Sequence, residues 1–160
     1  VNIFRLIQRN QKGVVALVNK WDLIEKDNNT TREWEKMIKD KLLPFSDVPV
    51  IFTSAITKQR IHKVLETAIS VYKNRMQKIP TSKLNEVMQE AIEKNHPPST
   101  KGKFIKIKYV TQLRTHAPSF AFFCNLPQYI KEPYQRYLEN VLRKNFNFTG
   151  VPMQIFFRKK

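Results

Sequence analysis

The stretch VVALVNKWD, residues 14–22, decides how the first part of this chain folds. Its first five residues form a continuous apolar run, which is typical of a strand buried on both faces of a parallel sheet. The polar residues Asn19, Lys20 and Asp22 follow almost at once. Ligands of open α/β sheets bind beyond the carboxyl ends of the strands. The stretch therefore predicts a buried strand with a ligand site at its end.

Helices flank this strand in the sequence. An amphipathic pattern precedes it, and a polar loop over residues 26–30 follows it. A capping box at Thr30-x-x-Glu33 then predicts the start of a helix, which Pro44 ends. One face of that helix is apolar and comprises Trp34, Met37, Ile38 and Leu42.

A second strand and helix repeat the pattern. Residues 48–52 form a short apolar run that ends at Thr53-Ser54-Ala55. Helical spacing then continues up to Lys78, and the residues predicted to face inward are Ile61, Val64, Leu65, Ala68, Ile69 and Tyr72. Strands that alternate with helices favour a parallel α/β architecture, which we assign to residues 1–79.

A boundary follows at residues 79–80, because Pro80 breaks the helical pattern and Ser82 is a good N-cap for a new helix. After a loop over 96–102, the chain shows strands near 103–110 and 119–125, a helix from about Pro133, and a last strand at 153–157. Residues 80–160 therefore predict an α+β domain in the order α-β-β-α-β.

Alternation along the first of these strands predicts its two faces. Ile105, Ile107 and Tyr109 fall on one side, and Lys106 and Lys108 fall on the other. The pattern is typical of a half-buried strand, and it indicates a basic surface on the sheet.

The charge is strongly basic in both halves. Residues 1–79 carry 15 basic and 8 acidic side chains (+7), and residues 80–160 carry 14 and 5 (+9), which together give +16. This balance favours a polyanionic partner such as nucleic acid over an acidic protein surface. The alternative is an ordinary solvated surface.

Cysteine usage and hydropathy indicate the compartment. The single cysteine, Cys124, has Phe122 and Phe123 beside it and is interpreted as a core thiol in a reducing environment. No apolar run approaches the ~18 residues that span a bilayer. His62, His96 and His116 are too far apart for a recognisable zinc pattern. We therefore predict a cytoplasmic protein without a membrane span.

The residues after the two strands suit guanine. Its Watson–Crick edge presents N1–H and N2–H₂ side by side, and the carboxylate of Asp22 can accept both. The Asn19 side chain can reach the N7/O6 edge and tie adjacent loops, while the stem of Lys20 can lie across the base. The small pair Ser54 and Ala55 lets backbone N–H groups approach O6. The alternative is a polar loop that merely caps a helix.

At this point the sequence resembles a known family. The motifs are NKWD, TSA, KIKYVTQ, PSFAFFCN, YQRYLENVLR and VPMQIFFR. They resemble the C-terminal region of EngA, also called Der, a family of bacterial GTPases with two tandem G domains and a KH-like domain. The resemblance implies that residues 1–79 are part of a P-loop GTPase domain, and that 80–160 are a KH-like RNA-binding domain. It makes Asn19, Lys20 and Asp22 the guanine readers, supported by Ser54 and Ala55.

The resemblance also implies an activity and partners. The whole protein would be a cytoplasmic GTPase that binds GTP or GDP with Mg²⁺ and assists assembly of the large ribosomal subunit, with ribosomal RNA as a partner. This chain has three glycines and no G-x-x-x-x-G-K-[ST] phosphate loop, and it begins without Met. We therefore expect it to be a piece of a longer protein, inactive by itself and without tightly bound nucleotide.

RNA contact must rely on charge, because the chain also lacks the G-x-x-G loop with which KH domains clamp nucleotides. The candidate RNA-binding residues are Lys106, Lys108, Arg114, Arg158, Lys159 and Lys160.

Two further expectations concern alternatives and assembly. A non-enzymatic RNA-binding or ribosomal interaction module, in which residues 19–22 form a capped loop, is the competing interpretation. The resemblance also implies that the strand at 14–18 has an outer edge whose neighbouring strands are absent from this chain. We therefore expect self-association through that edge.

Overall fold

Five helices and five strands follow one another in the part of the chain that the structure, a computed structural model, describes: residues 2–25, 27, 29–43, 45–99 and 102–160. They form two compact units. One comprises Val1–Arg75 with Phe148–Pro152, and the other comprises Met76–Asn147 with Met153–Lys160. The predicted helix end at Pro44 lies outside the described residues, as do Val1 and four residues of the predicted loops: Lys26, Asn28, Thr100 and Lys101.

The first unit contains a small parallel sheet. Helix α1 (Asn2–Arg9) precedes strand β1 (Ala16–Val18), a 3-10 turn (Trp21–Leu23) and helix α2 (Thr30–Lys41). Strand β2 (Val50–Phe52) and helix α3 (Ile61–Met76) follow. Strands β1 and β2 are parallel, with Ala16 opposite Val50 and Val18 opposite Phe52. The predicted parallel α/β architecture is confirmed.

The α2 N-terminus differs from the predicted capping box. Thr30 is the first residue of the helix, and the carboxylate of Asp27 provides the cap. One oxygen of Asp27 accepts hydrogen bonds from the Asn29 and Thr30 N–H groups, at 2.8 and 2.6 Å, and from the Thr30 hydroxyl at 2.6 Å. A carboxylate satisfies more of the free N–H groups of the first turn than a threonine hydroxyl can.

The prediction of which face of α3 points inward was wrong. Ile61, Leu65, Ile69 and Tyr72 are 38–61% exposed, whereas Val71 and Asn74 are buried. An apolar stripe is buried only where another layer covers it. Within the described residues the first unit has two strands, and α3 packs through Val71 and Asn74 instead.

A short segment from late in the chain, Phe148–Pro152, belongs to the first unit. The Gly150 carbonyl accepts a hydrogen bond from the Val14 N–H at 2.8 Å, and the Gly150 N–H donates to the Asp47 carbonyl at 2.7 Å. The Asn74 side chain donates to the Thr149 carbonyl at 3.0 Å. The segment thus satisfies backbone groups just before β1 and before β2.

The second unit has the predicted α-β-β-α-β order. Its elements are α4 (Thr81–Lys94), β3 (Ile107–Gln112), β4 (Ser119–Cys124), α5 (Glu132–Asn145) and β5 (Gln154–Lys159). The sheet order is β3-β4-β5, with β3 antiparallel and β5 parallel to β4. Helix α4 begins at Thr81 with Pro80 at the cap position, so Ser82 is not its N-cap.

The core of this unit lies between the helices and one face of the sheet. The fully buried side chains there are Leu84, Met88, Phe120, Phe122, Leu138 and Leu142. Cys124 is also buried, as expected, and desolvation raises the pKa of its thiol, which keeps it protonated and unreactive.

Strand β3 departs from simple alternation. A bulge between Ile107 and Tyr109 shifts the register, so Ile107 pairs with Cys124 while Tyr109 pairs with Phe123. Because Cys124 and Phe123 point to opposite faces of β4, Ile107 and Tyr109 do too, and the prediction that they share a face was wrong.

The described helices include none that is both long and apolar enough to cross a membrane.

Candidate functional site

Two loops meet at the carboxyl ends of β1 and β2. Asn19 directly follows β1, and Ser54 and Ala55 lie just beyond β2. Because the strands are parallel, both loops emerge at the same edge. The Ala55 N–H donates a hydrogen bond to Asn19 Oδ1 at 3.3 Å. The structure therefore brings the two polar motifs together, although they are 36 residues apart in the sequence.

Trp21 anchors the first loop. It is the variable residue of the Asn-Lys-x-Asp pattern, and the pattern itself predicts no role for it. Its side chain is 2% exposed, with ring centroids 4.3 Å from Phe52 and 5.7 Å from Trp34. The backbone N–H of Trp21 donates to the Thr53 carbonyl at 3.0 Å. A large aromatic residue inside a polar motif was the signal that could have indicated this anchor.

Lys20 reverses the backbone between the strand and the 3-10 turn. Its φ of 60° and ψ of 32° are left-handed, a conformation that costs a non-glycine residue about 1 kcal/mol or more. The Lys20 carbonyl accepts from the Leu23 N–H at 3.1 Å. The side chain is exposed, so its stem is accessible at the edge where the loops meet.

Ser54 holds the second loop in a tight turn. Its hydroxyl accepts a hydrogen bond from the Thr57 N–H at 3.1 Å, and the residue is fully buried. Ala55 is exposed beside it. The Ala55 N–H, expected to face a purine O6, is engaged by Asn19 in this structure.

The side chains that follow β1 differ in exposure. Asp22 is half-buried in the 3-10 turn, while Asn19 and Lys20 are exposed at its start. The parts of the chain that the structure describes hold no cluster of three or more His, Cys, Asp or Glu side chains suited to a metal ion. An amide, a lysine stem and a carboxylate therefore follow one another at this edge of the described sheet.

Asp27 is structural rather than part of this site. Hydrogen bonds from the Thr30 side chain, the Asn29 N–H and the Thr30 N–H lower the pKa of its carboxyl below the usual value of 3.8. The carboxylate is exposed, and its acceptor capacity is directed at the start of α2.

The six cations proposed for RNA are exposed, but they do not share one face. Lys106 precedes β3 and Arg114 follows it. On β5, Arg158 lies opposite Phe123, whereas Lys159 lies opposite Cys124 on the other side of the sheet. Lys160 Nζ is 5.0 Å from the centroid of the Tyr109 ring. The structure thus separates Arg158 and Lys160 from Lys159.

Comparison with known proteins identifies relatives across the chain. A family model described as "KH-domain-like of EngA bacterial GTPase enzymes, C-terminal" matches residues 78–158. A protein named GTPase Der from Christiangramia forsetii is 57% identical over 159 residues, which cover 99% of this chain and 37% of that relative. Proteins of the same name from Phocaeicola vulgatus and Porphyromonas gingivalis are 59% and 56% identical, each covering all of this chain and 37% of the relative. The chain therefore spans little more than a third of the length of these curated relatives.

Proposed function

Because the chain belongs to the EngA family of bacterial GTPases, we propose that it is the part of a GTP-binding protein that reads the guanine base and contacts RNA. Residues 1–79 recognise guanine, and residues 80–160 form the RNA-binding domain. The whole protein hydrolyses GTP and acts in assembly of the large ribosomal subunit, in the cytoplasm.

The hydrogen bond between Asn19 and Ala55 carries the guanine part of this proposal. It joins the two loops at the edge of the sheet where the parallel strands β1 and β2 end. Trp21 holds the turn that contains Asp22 against the core, so the carboxylate is positioned by packing rather than by a flexible loop.

Each residue then has a distinct role toward the base. Asp22 accepts from N1–H and N2–H₂ of guanine, which adenine cannot offer together. Asn19 fixes the second loop and faces the N7/O6 edge, while the stem of Lys20 covers the ring. The phosphates and Mg²⁺ supply the larger share of nucleotide affinity and the chemistry of hydrolysis, and this chain contributes the choice of base.

The RNA part rests on charge and on the family description. Residues 80–160 carry +9, and their exposed cations on and near the strands can neutralise phosphates. A chain without a G-x-x-G loop must bind RNA by another surface.

Replacement of Asp22 by Asn in the complete protein tests the guanine assignment. The new NH₂ group faces the guanine amino group, and this mismatch costs about 1–3 kcal/mol, so GTP affinity falls roughly tenfold or more. Xanthine has a carbonyl at that position, so affinity for XTP rises. The measurement is binding of labelled GTP and XTP, with the other G domain of the protein disabled.

Asp40→Asn is the matched control, because Asp40 is exposed on α2 away from the strand ends. It should change neither affinity. If Asp22→Asn leaves GTP affinity unchanged and gains nothing for XTP, residues 19–22 are a capped polar loop, and the non-enzymatic RNA-binding module becomes the better interpretation.

A further inference from the structure

The two faces of the three-stranded sheet have different surroundings. Along β4, Phe120, Phe122 and Cys124 alternate onto the face that the helices cover, and all three are fully buried. On the opposite face, Phe123 is only half-buried, whereas the small side chain of Ala121 is buried. We refer to this opposite side, which carries Tyr109, Phe123, Phe156 and Arg158, as the open face.

Aromatic side chains from all three strands lie on the open face. Tyr109 of β3 and Phe123 of β4 are register partners, with ring centroids 4.5 Å apart and planes 15° from parallel. Phe156 of β5 lies in the next row, opposite Ala121, and is 39% exposed. Aromatic side chains that form a contiguous exposed patch, rather than standing singly, are typical of an interaction surface.

Cations accompany these rings. Arg158 continues the row of Tyr109 and Phe123 onto β5. Lys160, two residues further and therefore on the same side, places its Nζ 5.0 Å from the centroid of the Tyr109 ring. Flat apolar surface and positive charge are therefore interleaved within one face.

Carboxylates, by contrast, are confined to the helices. The five acidic residues of 80–160 all lie on α4 or α5: Glu86, Glu90, Glu93, Glu132 and Glu139. Three of them form ion pairs within their own helix, with Lys94, Arg136 and Arg143. The helices thus neutralise much of their own charge, while the open face keeps its cations without any acidic residue.

We propose that the open face is a stacking platform for single-stranded RNA, on which unpaired bases lie against Tyr109, Phe123 and Phe156 while Arg158 and Lys160 contact the phosphates. The proposal rests on the RNA-binding function proposed above and names the surface that performs it. It places RNA on the sheet, not on a loop between helices.

Single-stranded RNA suits this face better than the other polyanions. Base pairs in a duplex keep their π-faces stacked on one another, so only unpaired bases can use aromatic side chains. A protein partner that covered the face would need carboxylates to match Arg158 and Lys160. Stacking also tolerates any base, which agrees with a platform that offers few hydrogen-bonding side chains.

The aromatic part is tested with the full chain and a fluorescent, unstructured oligoribonucleotide of about ten nucleotides. Tyr109→Leu and Phe156→Leu keep apolar bulk but remove the flat ring. Each should weaken binding roughly tenfold, as expected for the loss of one stacked base. Phe104→Leu is the control, because Phe104 is 82% exposed in the same unit but lies outside the strands. It should leave affinity unchanged.

The charge part is tested by two neighbouring residues of β5, which keeps the proposal testable if an aromatic variant fails to fold. Arg158→Gln removes a cation from the open face, and Lys159→Gln removes one from the opposite side. Arg158→Gln should weaken binding to the single strand and reduce its salt dependence by about one phosphate contact, and Lys159→Gln should do so much less.

The outcomes distinguish the stacking platform from the more general proposal that residues 80–160 bind RNA. No binding of the chain to single-stranded RNA at low salt would overturn both. Binding that is indifferent to Tyr109→Leu and Phe156→Leu, or that falls equally with Arg158→Gln and Lys159→Gln, would overturn the platform and leave a diffuse electrostatic surface. Preference for a duplex of the same length would assign the open face to another partner. So would a protein domain that competes with RNA for the chain and that binds the aromatic variants more weakly.

Discussion

At the scale of single residues, two positive φ angles have different causes. Lys20 adopts its left-handed conformation in the loop that carries the Asn-Lys-x-Asp motif, where the backbone hydrogen bonds of Trp21 and Leu23 hold it. Gly150, with a φ of 76°, lies where the segment Phe148–Pro152 approaches α3 and the start of β1. A side chain is tolerated at position 20 because it points into solvent, whereas a side chain at position 150 would have no room.

Replacement of Gly150 by Ala should destabilise the first unit by about 3 kcal/mol, from backbone strain and overpacking together. An added Cβ would lie 2.6 Å from Val71 Cγ2 and 2.9 Å from the Val14 carbonyl oxygen. Denaturant unfolding monitored by Trp21 and Trp34 fluorescence measures the loss, since both tryptophans lie in this unit.

Gly102→Ala provides the comparison for that variant. Gly102 also has a positive φ, 70°, but an added Cβ would meet nothing within 4 Å. Gly102→Ala should lose only the strain, about 1 kcal/mol, and calorimetry measures this loss because Gly102 lies in the second unit, which has no tryptophan. Equal losses at the two glycines would show that the packing around Gly150 contributes little.

At the scale of elements, side chains from outside an element complete its backbone hydrogen bonds. Asp27 caps α2 from before the helix. Asn85 and Gln89 of α4 form hydrogen bonds with the backbone along the outer edge of β3. Asn85 both accepts from the Val110 N–H and donates to its carbonyl, each at 2.8 Å, and Gln89 donates to the Lys108 carbonyl at 2.8 Å. This cover removes an edge that could otherwise recruit another strand.

The Asp27 cap should make the stability of α2 depend on pH. Its pKa is lowered on folding, so its contribution is present above the ordinary value of 3.8 and is lost as the pH falls through the lower folded value. Wild type should therefore be more stable than Asp27→Ala at neutral pH, and the difference should vanish as the pH falls below the lowered pKa of the Asp27 carboxyl. Unfolding followed by Trp34 fluorescence measures it. A constant difference between wild type and Asp27→Ala across the pH range would contradict the capping role.

Loss of the Asn85 side chain should uncover the β3 edge. Asn85→Ala removes two hydrogen bonds to the partly buried backbone of Val110 and should destabilise the second unit by about 2 kcal/mol. Amide exchange along β3 and β4 measures the change. Asn140→Ala on the exposed side of α5 controls for helix propensity, and a similar loss there would refute the edge-capping interpretation.

At the scale of the whole molecule, the two units cover their apolar surface to different degrees. The second unit encloses a core of fully buried side chains between helices and sheet. In the first, Leu17 of β1 and Leu65, Ile69 and Tyr72 of α3 are 50–61% exposed. Within the described sheet, β1 has a single neighbouring strand. Apolar side chains beside a strand edge of this kind favour association.

We therefore expect the chain in isolation to self-associate in a concentration-dependent manner. Leu65→Lys and Ile69→Lys should shift it toward monomer by placing charge on the exposed α3 surface, whereas Ser70→Lys, next to Ile69 in sequence but not at an apolar position, should shift it less. Sedimentation velocity over a range of concentrations measures the distribution. A wild-type chain that stays monomeric, with slow amide exchange along β1, would contradict this expectation.

The order of the elements could be predicted from the sequence alone, because apolar runs, helical spacing and proline positions act locally. The same patterns placed Asn19 to Asp22 after one strand and Ser54 and Ala55 after the next. Only the tertiary structure decided which side of α3 is buried, how the bulge in β3 turns Tyr109 toward Phe123, and where Phe148–Pro152 packs. These features depend on contacts between residues far apart in the chain. A periodic pattern shows which side chains avoid water, but not which layer is present to cover them.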